Sequence, residues 1–429
     1  MTETKTPSLA SIPLDPEIAA PELSNRETKR IEMLNEAAKT LNRRGVTQTS
    51  LATIANNVGI SRAALYYYVN NQEDLVYQCY VRTCQQLSGL LDAATAKHTH
   101  PLEIICTFIA NAINENRAEF ASLSDIAFLQ GEKRSIVMGL YKGIRATLAD
   151  IVSLGIERGQ IRPCDPRITA STVLGLITWV PVTLVWMPDD GPAKNLLSKT
   201  IQDIVRIGIA CDRKRPGKFE RHDVRSFVPL INNVFDSKAQ AAARRETLLA
   251  SASWLFNQKG IDATSLQEVA RGLGVTKKVI YHIIGSKDDL VAECCRRGFR
   301  FFEFMSDATR KFDGTRMDAL CTSLATLAEA SVRRDLTPFA PITGLDAWPS
   351  DVRAELLGFA AQLRKNYDSV LAIGVTENSI RNINAQAVMT LFPGFYEWMS
   401  RWIDTLRETE QERVPDEIAN LLRLGLAPV

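Results

Sequence analysis

The chain has 429 residues, too many for one hydrophobic core and suited to two domains of about 200 residues each. Apolar residues at 45% and charged residues at 23% exclude disordered and collagen-like classes, and a net charge of +2 excludes a strongly acidic or basic body. Charge is nevertheless uneven: residues 24–76 carry seven Lys/Arg against five Asp/Glu, and residues 238–291 carry eight against five.

Residues 1–24, rich in Thr, Ser and Pro, read as a disordered tail, without the basic-then-apolar pattern of a secretory leader. Ile31, Leu34, Ala37, Ala38 and Leu41 then share one face of a helix that Gly45 ends. Thr49 or Ser50 opens a short helix with Leu51, Ile54 and Ala55 inward. Gly59 makes a tight turn, and Ser61 opens a third helix, SRAALYYYV, with Ala64 and Leu65 inward. This order is a helix-turn-helix, whose last helix is available for the major groove of DNA. Residues 174–187 form the longest apolar run, 14 residues broken by Pro181, so a buried helix rather than a membrane span is expected.

The first reader recurs. Residues 45–76 align without a gap with residues 260–291 at an offset of 215, and ten of the 32 positions are identical, among them Gly45/Gly260, Thr49/Thr264, Gly59/Gly274 and Tyr66/Tyr281. The second copy has Leu266, Val269 and Ala270 inward, then Thr276 and TKKVIYHII with Val279 and Ile280 inward. The candidate DNA-contacting residues are Thr49, Ser61, Arg62, Ala63, Tyr66, Tyr67 and Tyr68 in the first copy. Those of the second are Thr264, Thr276, Lys277, Lys278, Tyr281, His282 and Lys287. Cations at the start of such a helix neutralise phosphates or reach guanine acceptors, and phenols donate to phosphates.

The repeat extends further. Residues 206–210 read RIGIA and 423–427 read RLGLA, at an offset of 217; residues 155–163 match 374–382 at 219, and Trp186 pairs with Trp402. Periodic apolar segments between Gly/Pro breaks argue an all-α fold. The expected division is 25–76 and 240–291 for the helix-turn-helix domains, 77–211 and 292–429 for helical sensor and dimerisation domains, and 212–239 for a linker. That linker spans about 90 Å if extended. Helices over 170–187 with 193–211, and over 385–403 with 415–426, are the candidates to pack together as an intramolecular pseudo-dimer. A dimer of chains is the alternative.

The segments TSLATIANNVGISRAALYYYVNNQEDL and TSLQEVARGLGVTKKVIYHIIGSKDDL resemble the TetR family of bacterial transcription regulators. The resemblance implies a three-helix DNA-binding domain, a fourth connecting helix, and a helical ligand-binding and dimerisation domain in each half. Gln72 stands where the family usually has the Lys kept at Lys287. It further implies operator DNA and an apolar small-molecule effector as partners. Phe108, Phe128, Met138, Tyr141, Trp179 and Trp186 are the candidates to line a cavity in the first half; Phe339, Trp348, Phe392, Phe395, Tyr396 and Trp398 are those of the second. Pro181 and Pro393-Gly394 are expected to interrupt helices there.

No catalytic constellation, metal-ligand spacing or cofactor motif stands out, so neither an enzyme nor a cofactor is expected. Eight scattered cysteines fit reduced thiols in a cytoplasm, with Cys79 and Cys294 in equivalent packing positions. The expected function is a ligand-responsive regulator, a repressor, reading two non-identical half-sites. Its alternatives are a small-molecule carrier with degenerate readers, or a regulator with one active reader.

Overall fold

A computed structural model of the protein describes residues 24–187, 191–217, 220–228, 236–339 and 343–429. The expected tail, apart from Ser24, lies outside them, as do parts of the linker. The described residues hold helices and one isolated bridge, Ala210 with Ile380, but no strand. None of these helices is long and apolar enough to cross a membrane.

The first half runs α1 (Asn25–Arg44), α2 (Leu51–Val58), α3 (Arg62–Leu65), α4 (Gln72–Lys97), α5 (Pro101–Ala112), α6 (Gly131–Glu157), α7 (Pro166–Trp186) and α8 (Lys194–Ile207). The second repeats the order with α9 (Ser237–Lys259), α10 (Leu266–Gly272), α11 (Lys277–Ile283), α12 (Lys287–Arg310), α13 (Arg316–Val332) and α14 (Ser350–Thr376). It closes with α15 (Ala385–Leu391), α16 (Glu408–Gln411) and α17 (Val414–Leu424). Local chemistry sets the ends. Ser24 and Glu27 form a capping box at α1, and the N–H of Gly45 closes it on the Leu41 carbonyl. Asp236 accepts from the N–H groups of Lys238 and Ala239, so the helix of the second reader begins inside the expected linker.

Of the two expected helix breaks, the one at Pro393-Gly394 formed and the one at Pro181 did not. α7 runs through Pro181 without stopping. In the second half α15 does end, at Leu391, and the chain descends through three 3-10 turns (Phe392–Phe395, Met399–Arg401 and Ile403–Thr405) instead of one helix over 385–403. Pro393 lacks the N–H that would continue the ladder.

Inside each half, α4 packs on α1, α5 and α6, and α12 packs on α9, α13 and α14. Between halves, α7 and α8 meet α15, α17 and the turn at Phe392–Phe395. The seam is reciprocal. The N–H of Ile209 donates to Leu422 O at 2.9 Å and that of Leu426 to Val205 O at 2.8 Å; Ala210 donates to Arg423 O at 3.1 Å and Ala427 to Arg206 O at 2.9 Å. The Nε of Arg162 reaches Gly425 O and that of Arg381 reaches Gly208 O, both at 2.6 Å. Each bond has its counterpart with donor and acceptor halves exchanged, the signature of an isologous contact. Only glycine fits at Gly208 and Gly425: φ is +67° and +62°, and a Cβ on Gly208 would fall 2.2 Å from Arg423 O.

The halves also touch at and beside the readers. The N–H of Thr47 in the first reader donates to the Asp262 carboxylate of the second at 2.6 Å, and outside the readers the Ser124 and Thr343 hydroxyls lie 3.1 Å apart. The first part of the linker lies on the second half: Arg213 donates to Leu424 O, and Arg221 pairs with Glu329 and Asp416.

Candidate DNA readers and effector cavity

Each reader is a short helix held by few buried side chains. Ser50 and Ser265 cap α2 and α10 by accepting from the N–H groups of Thr53 and Glu268. Ser61 caps α3 through the Ala64 N–H, whereas Thr276 makes no side-chain cap on α11. Leu65 and Ile280, each fully buried, anchor the two reader helices. Ala64 and Val279, expected inward, are exposed, Val279 by 38%. The outer faces are open: Ser61, Arg62, Ala63, Tyr66 and Tyr67 on one, Thr276, Lys277, Lys278, Tyr281 and His282 on the other. Tyr67 is 65% exposed and Tyr68 half-buried against it, edge to face.

Cations lie over the exposed rings. The Arg62 guanidinium is 5.8 Å from the Tyr66 ring centroid, Lys277 Nζ is 5.4 Å from that of Tyr281, and Arg26 is 4.3 Å from that of Tyr67. These pairs hold charge and ring together on the surface a groove would meet.

Two expected DNA-facing positions are corrected. Thr49 and Thr264 are buried, and their hydroxyls donate to the carbonyls of Gly45 and Gly260 at 2.6 and 2.8 Å. They hold the turn between the first two helices and do not face DNA. Lys287 is half-buried, and burial lowers the pKa of its ammonium. Gln72, its counterpart, donates to the carbonyls of Val46 and Thr49.

Among the candidate cavity residues, the structure brings together four. Trp179 and Trp186 of α7 join Phe392 and Tyr396 of the second half around a cavity of about 120 Å³. Phe339 and Trp348 line a different cavity of about 250 Å³, between the readers. Phe108 and Phe395 are fully buried in the core; Met138 is 42% exposed, which corrects its placement on a cavity wall. Phe128, Tyr141 and Trp398 are not on the wall of either cavity. The expected cavity of the first half is thus not assembled by its six candidates: its two tryptophans serve the second half's cavity.

The sequence reading missed Phe299 and Phe302 of α12, Arg364 and Tyr367 of α14, and Glu397. The run FRFFEF over 299–304 was the available signal for the first two. Trp179 is fixed by an Nε1 bond to Thr390 O at 2.8 Å, and Trp186 packs on Phe299 at 5.7 Å between centroids. Glu397 is 8% exposed, and burial pushes its carboxyl up to about 8.

Comparison with known proteins places these features. The pattern described as bacterial regulatory proteins, tetR family, matches residues 33–79 and again 248–294, and that of a tetracyclin repressor-like C-terminal domain matches residues 98–208. The chain is 26% identical over 159 residues to the HTH-type transcriptional regulator TtgR of Pseudomonas putida, covering 31% of this chain and 70% of that protein. It is 24% identical over 193 residues to the fatty acid metabolism regulator protein of Bacillus subtilis, covering 44% and 98%. Among solved structures, AibR in complex with isovaleryl coenzyme A and operator DNA is similar at 21% identity and a TM-score of 0.35, over 41% of this chain and 97% of that one. The ketosteroid transcriptional regulator KstR2 of Mycobacterium tuberculosis gives 21% and 0.35, over 42% and 92%. With the helix-turn-helix matched at both positions of an all-helical chain, this protein is a tandem of two modules of the TetR family of bacterial regulatory proteins.

Proposed function

We propose that the chain is a ligand-responsive transcription regulator, a repressor, in which one polypeptide presents two different readers to two different half-sites of operator DNA. The observation that carries this reading is the reciprocal seam: the hydrogen bonds of 205–210 with 422–427 join the halves as two subunits of a dimer would be joined. The joined halves act as an intramolecular pseudo-dimer, divided into modules as the repeat divides the sequence. Arg62 and Tyr67 address one half-site; Lys277, Lys278 and His282 address the other. The operator is therefore less palindromic than that of a symmetric dimer.

The effector acts through the 120 Å³ cavity. Its wall draws on α7 of the first half and α12 of the second, so a bound molecule touches both sides of the seam. Phe299 lies 12 residues from Lys287 along α12, about 18 Å at 1.5 Å per residue, and the second reader sits at that end. A shift of α12 changes the separation of the readers, and only separations near one helical turn of DNA, about 34–36 Å, permit binding.

Fluorescence anisotropy with the intergenic DNA upstream of the protein's own gene tests this. Arg62→Ala and the double change Lys277→Ala with Lys278→Ala should each weaken binding, by about 1–3 kcal/mol for each side chain that no longer reaches a base edge. Weakening in one variant alone leaves a regulator with a single active reader. No binding above the non-specific level at physiological salt refutes DNA regulation and leaves a small-molecule carrier.

A further inference from the structure

Glu397 is the one acidic residue on a wall made mostly of aromatic and aliphatic side chains. It is more than nine-tenths buried as a residue and faces the cavity without a hydrogen-bond donor among the described residues, and the one charge acting on it is the Arg401 guanidinium, which works against the rise that burial causes. Such a group costs free energy unless something binds to it. Around it in the cavity stand the aromatic faces of Trp179, Trp186, Phe299, Phe302 and Tyr396.

We propose that this cavity takes an arylalkylamine in its ammonium form, with Glu397 as the carboxylate that pairs with the nitrogen. This deepens the effector reading above and rests on it only for the link to DNA. Size sets the aryl part: about 120 Å³ is close to the roughly 150 Å³ of an apolar cavity that holds one benzene ring. Charge sets the head group. An ammonium gains both the carboxylate and the ring faces, which attract cations most strongly when desolvated. A carboxylate-bearing ligand would bury a charge that the protonated Glu397 can meet with one hydrogen bond but not with an opposite charge, and an alcohol would gain one neutral hydrogen bond.

The other titratable groups facing the site do not replace Glu397. Tyr367 and Tyr396 are buried phenols pushed up by burial, and Arg364 at the rim is half-buried and already has an interaction of its own. Arg401, four residues on, lies over the Trp398 ring at 4.8 Å and acts on Glu397 through space, drawing its pKa down without outweighing burial. α7, the counterpart element of the first half, contains no acidic residue, so among the described residues this cavity is the one site of its kind.

In the empty cavity at pH 7 the carboxyl carries its proton. The ammonium enters with its own, and the carboxyl proton leaves to solvent as the ion pair forms. No covalent bond changes.

Isothermal titration of the full chain with 2-phenylethylamine, 2-phenylethanol and phenylacetate tests the proposal. The amine should bind at one per chain and at least about 10-fold tighter than the alcohol. Repeating the titration in buffers of different ionisation enthalpy should show close to one proton released per amine at pH 7. That release should vanish above pH 9, where Glu397 is ionised beforehand. In Glu397→Gln the amine should fall to the alcohol's affinity while the alcohol is unchanged, which also shows the variant folded. Should Glu397→Gln not fold, the proton release and its pH profile in the unaltered protein decide the question. Equal or tighter binding of the alcohol or of phenylacetate, or amine binding unchanged in Glu397→Gln, overturns it. If the amine binds with these signatures but leaves DNA bound in the anisotropy assay, the site stands and the effector reading falls.

Discussion

The hydroxyls of Thr49 and Thr264 sit where a DNA-facing group was expected and instead fasten a turn to the end of the preceding helix. Their replacement by valine keeps the shape and orphans the Gly45 or Gly260 carbonyl. Thr49→Val and Thr264→Val should each cost about 1–3 kcal/mol, lowering the urea midpoint while leaving operator affinity per folded molecule unchanged. A drop in affinity without a drop in stability would return these residues to the DNA face. Glu397 offers a second check at this scale. Its folded-state pKa, about 8, lies above the ordinary 4.5, so the folded chain binds the extra proton between those values. Its effect on stability is therefore least adverse below pH 4.5 and worsens as pH rises to about 8, then levels off. Glu397→Gln should gain stability relative to the unaltered chain as pH rises from 4.5 to 8, read from paired denaturation curves. The residue types of the readers were legible because exposed Arg, Lys and Tyr depend only on local helix phase. Glu397 was not, because its burial depends on rings from three distant stretches of chain, in α7, α12 and α14.

At the scale of elements, the three reader helices and the helix after them, α4 or α12, were legible in both copies because their apolar spacing and terminal glycines agree, although Thr276 does not make the cap that Ser61 makes. Ala64 and Val279 show the limit: helices of four and seven residues offer one inward position each, filled by Leu65 and Ile280. The 3-10 descent over 392–405 was not legible, since its aromatic-rich sequence keeps a helical spacing and the tighter turns come with tertiary packing, of Phe392–Phe395 against α7 and of Met399–Arg401 against α9 and α13. α7 errs in the other direction, its Pro181 tolerated in a helix buried on nearly every side. The segments that close the two halves carry the clearest element-level prediction. Gly208→Ala would force a methyl onto the Arg423 carbonyl at a left-handed φ, as would Gly425→Ala against the Gly208 N–H. Either change should destabilise the chain by about 2 kcal/mol or more, seen as a lower thermal midpoint, whereas Gly139→Ala, which meets open space, should not.

For the whole molecule, the decisive quantity is which surfaces remain uncovered. A single TetR-type module would bury its last two helices against a second chain. Here α7 and α8 are already covered by α15, α17 and the turns between them, and the RIGIA and RLGLA segments have satisfied each other's backbone groups. Tethering by the linker keeps the halves at an effective concentration of about a millimolar, so a second chain at micromolar concentration competes poorly for the same surface. The cavity points the same way, because Trp179 and Trp186 complete a wall of the other half within one chain. Light scattering coupled to size exclusion should therefore give 47.6 kDa for the free protein, and one chain per duplex on DNA carrying both half-sites. Shortening that duplex to one half-site should reduce affinity and the salt dependence together, because only about half as many phosphates are then neutralised. A free mass near twice 47.6 kDa, or two chains on the minimal two-half-site duplex, would mean the readers pair between chains; the operator should then recover the palindromy that the intramolecular arrangement removes.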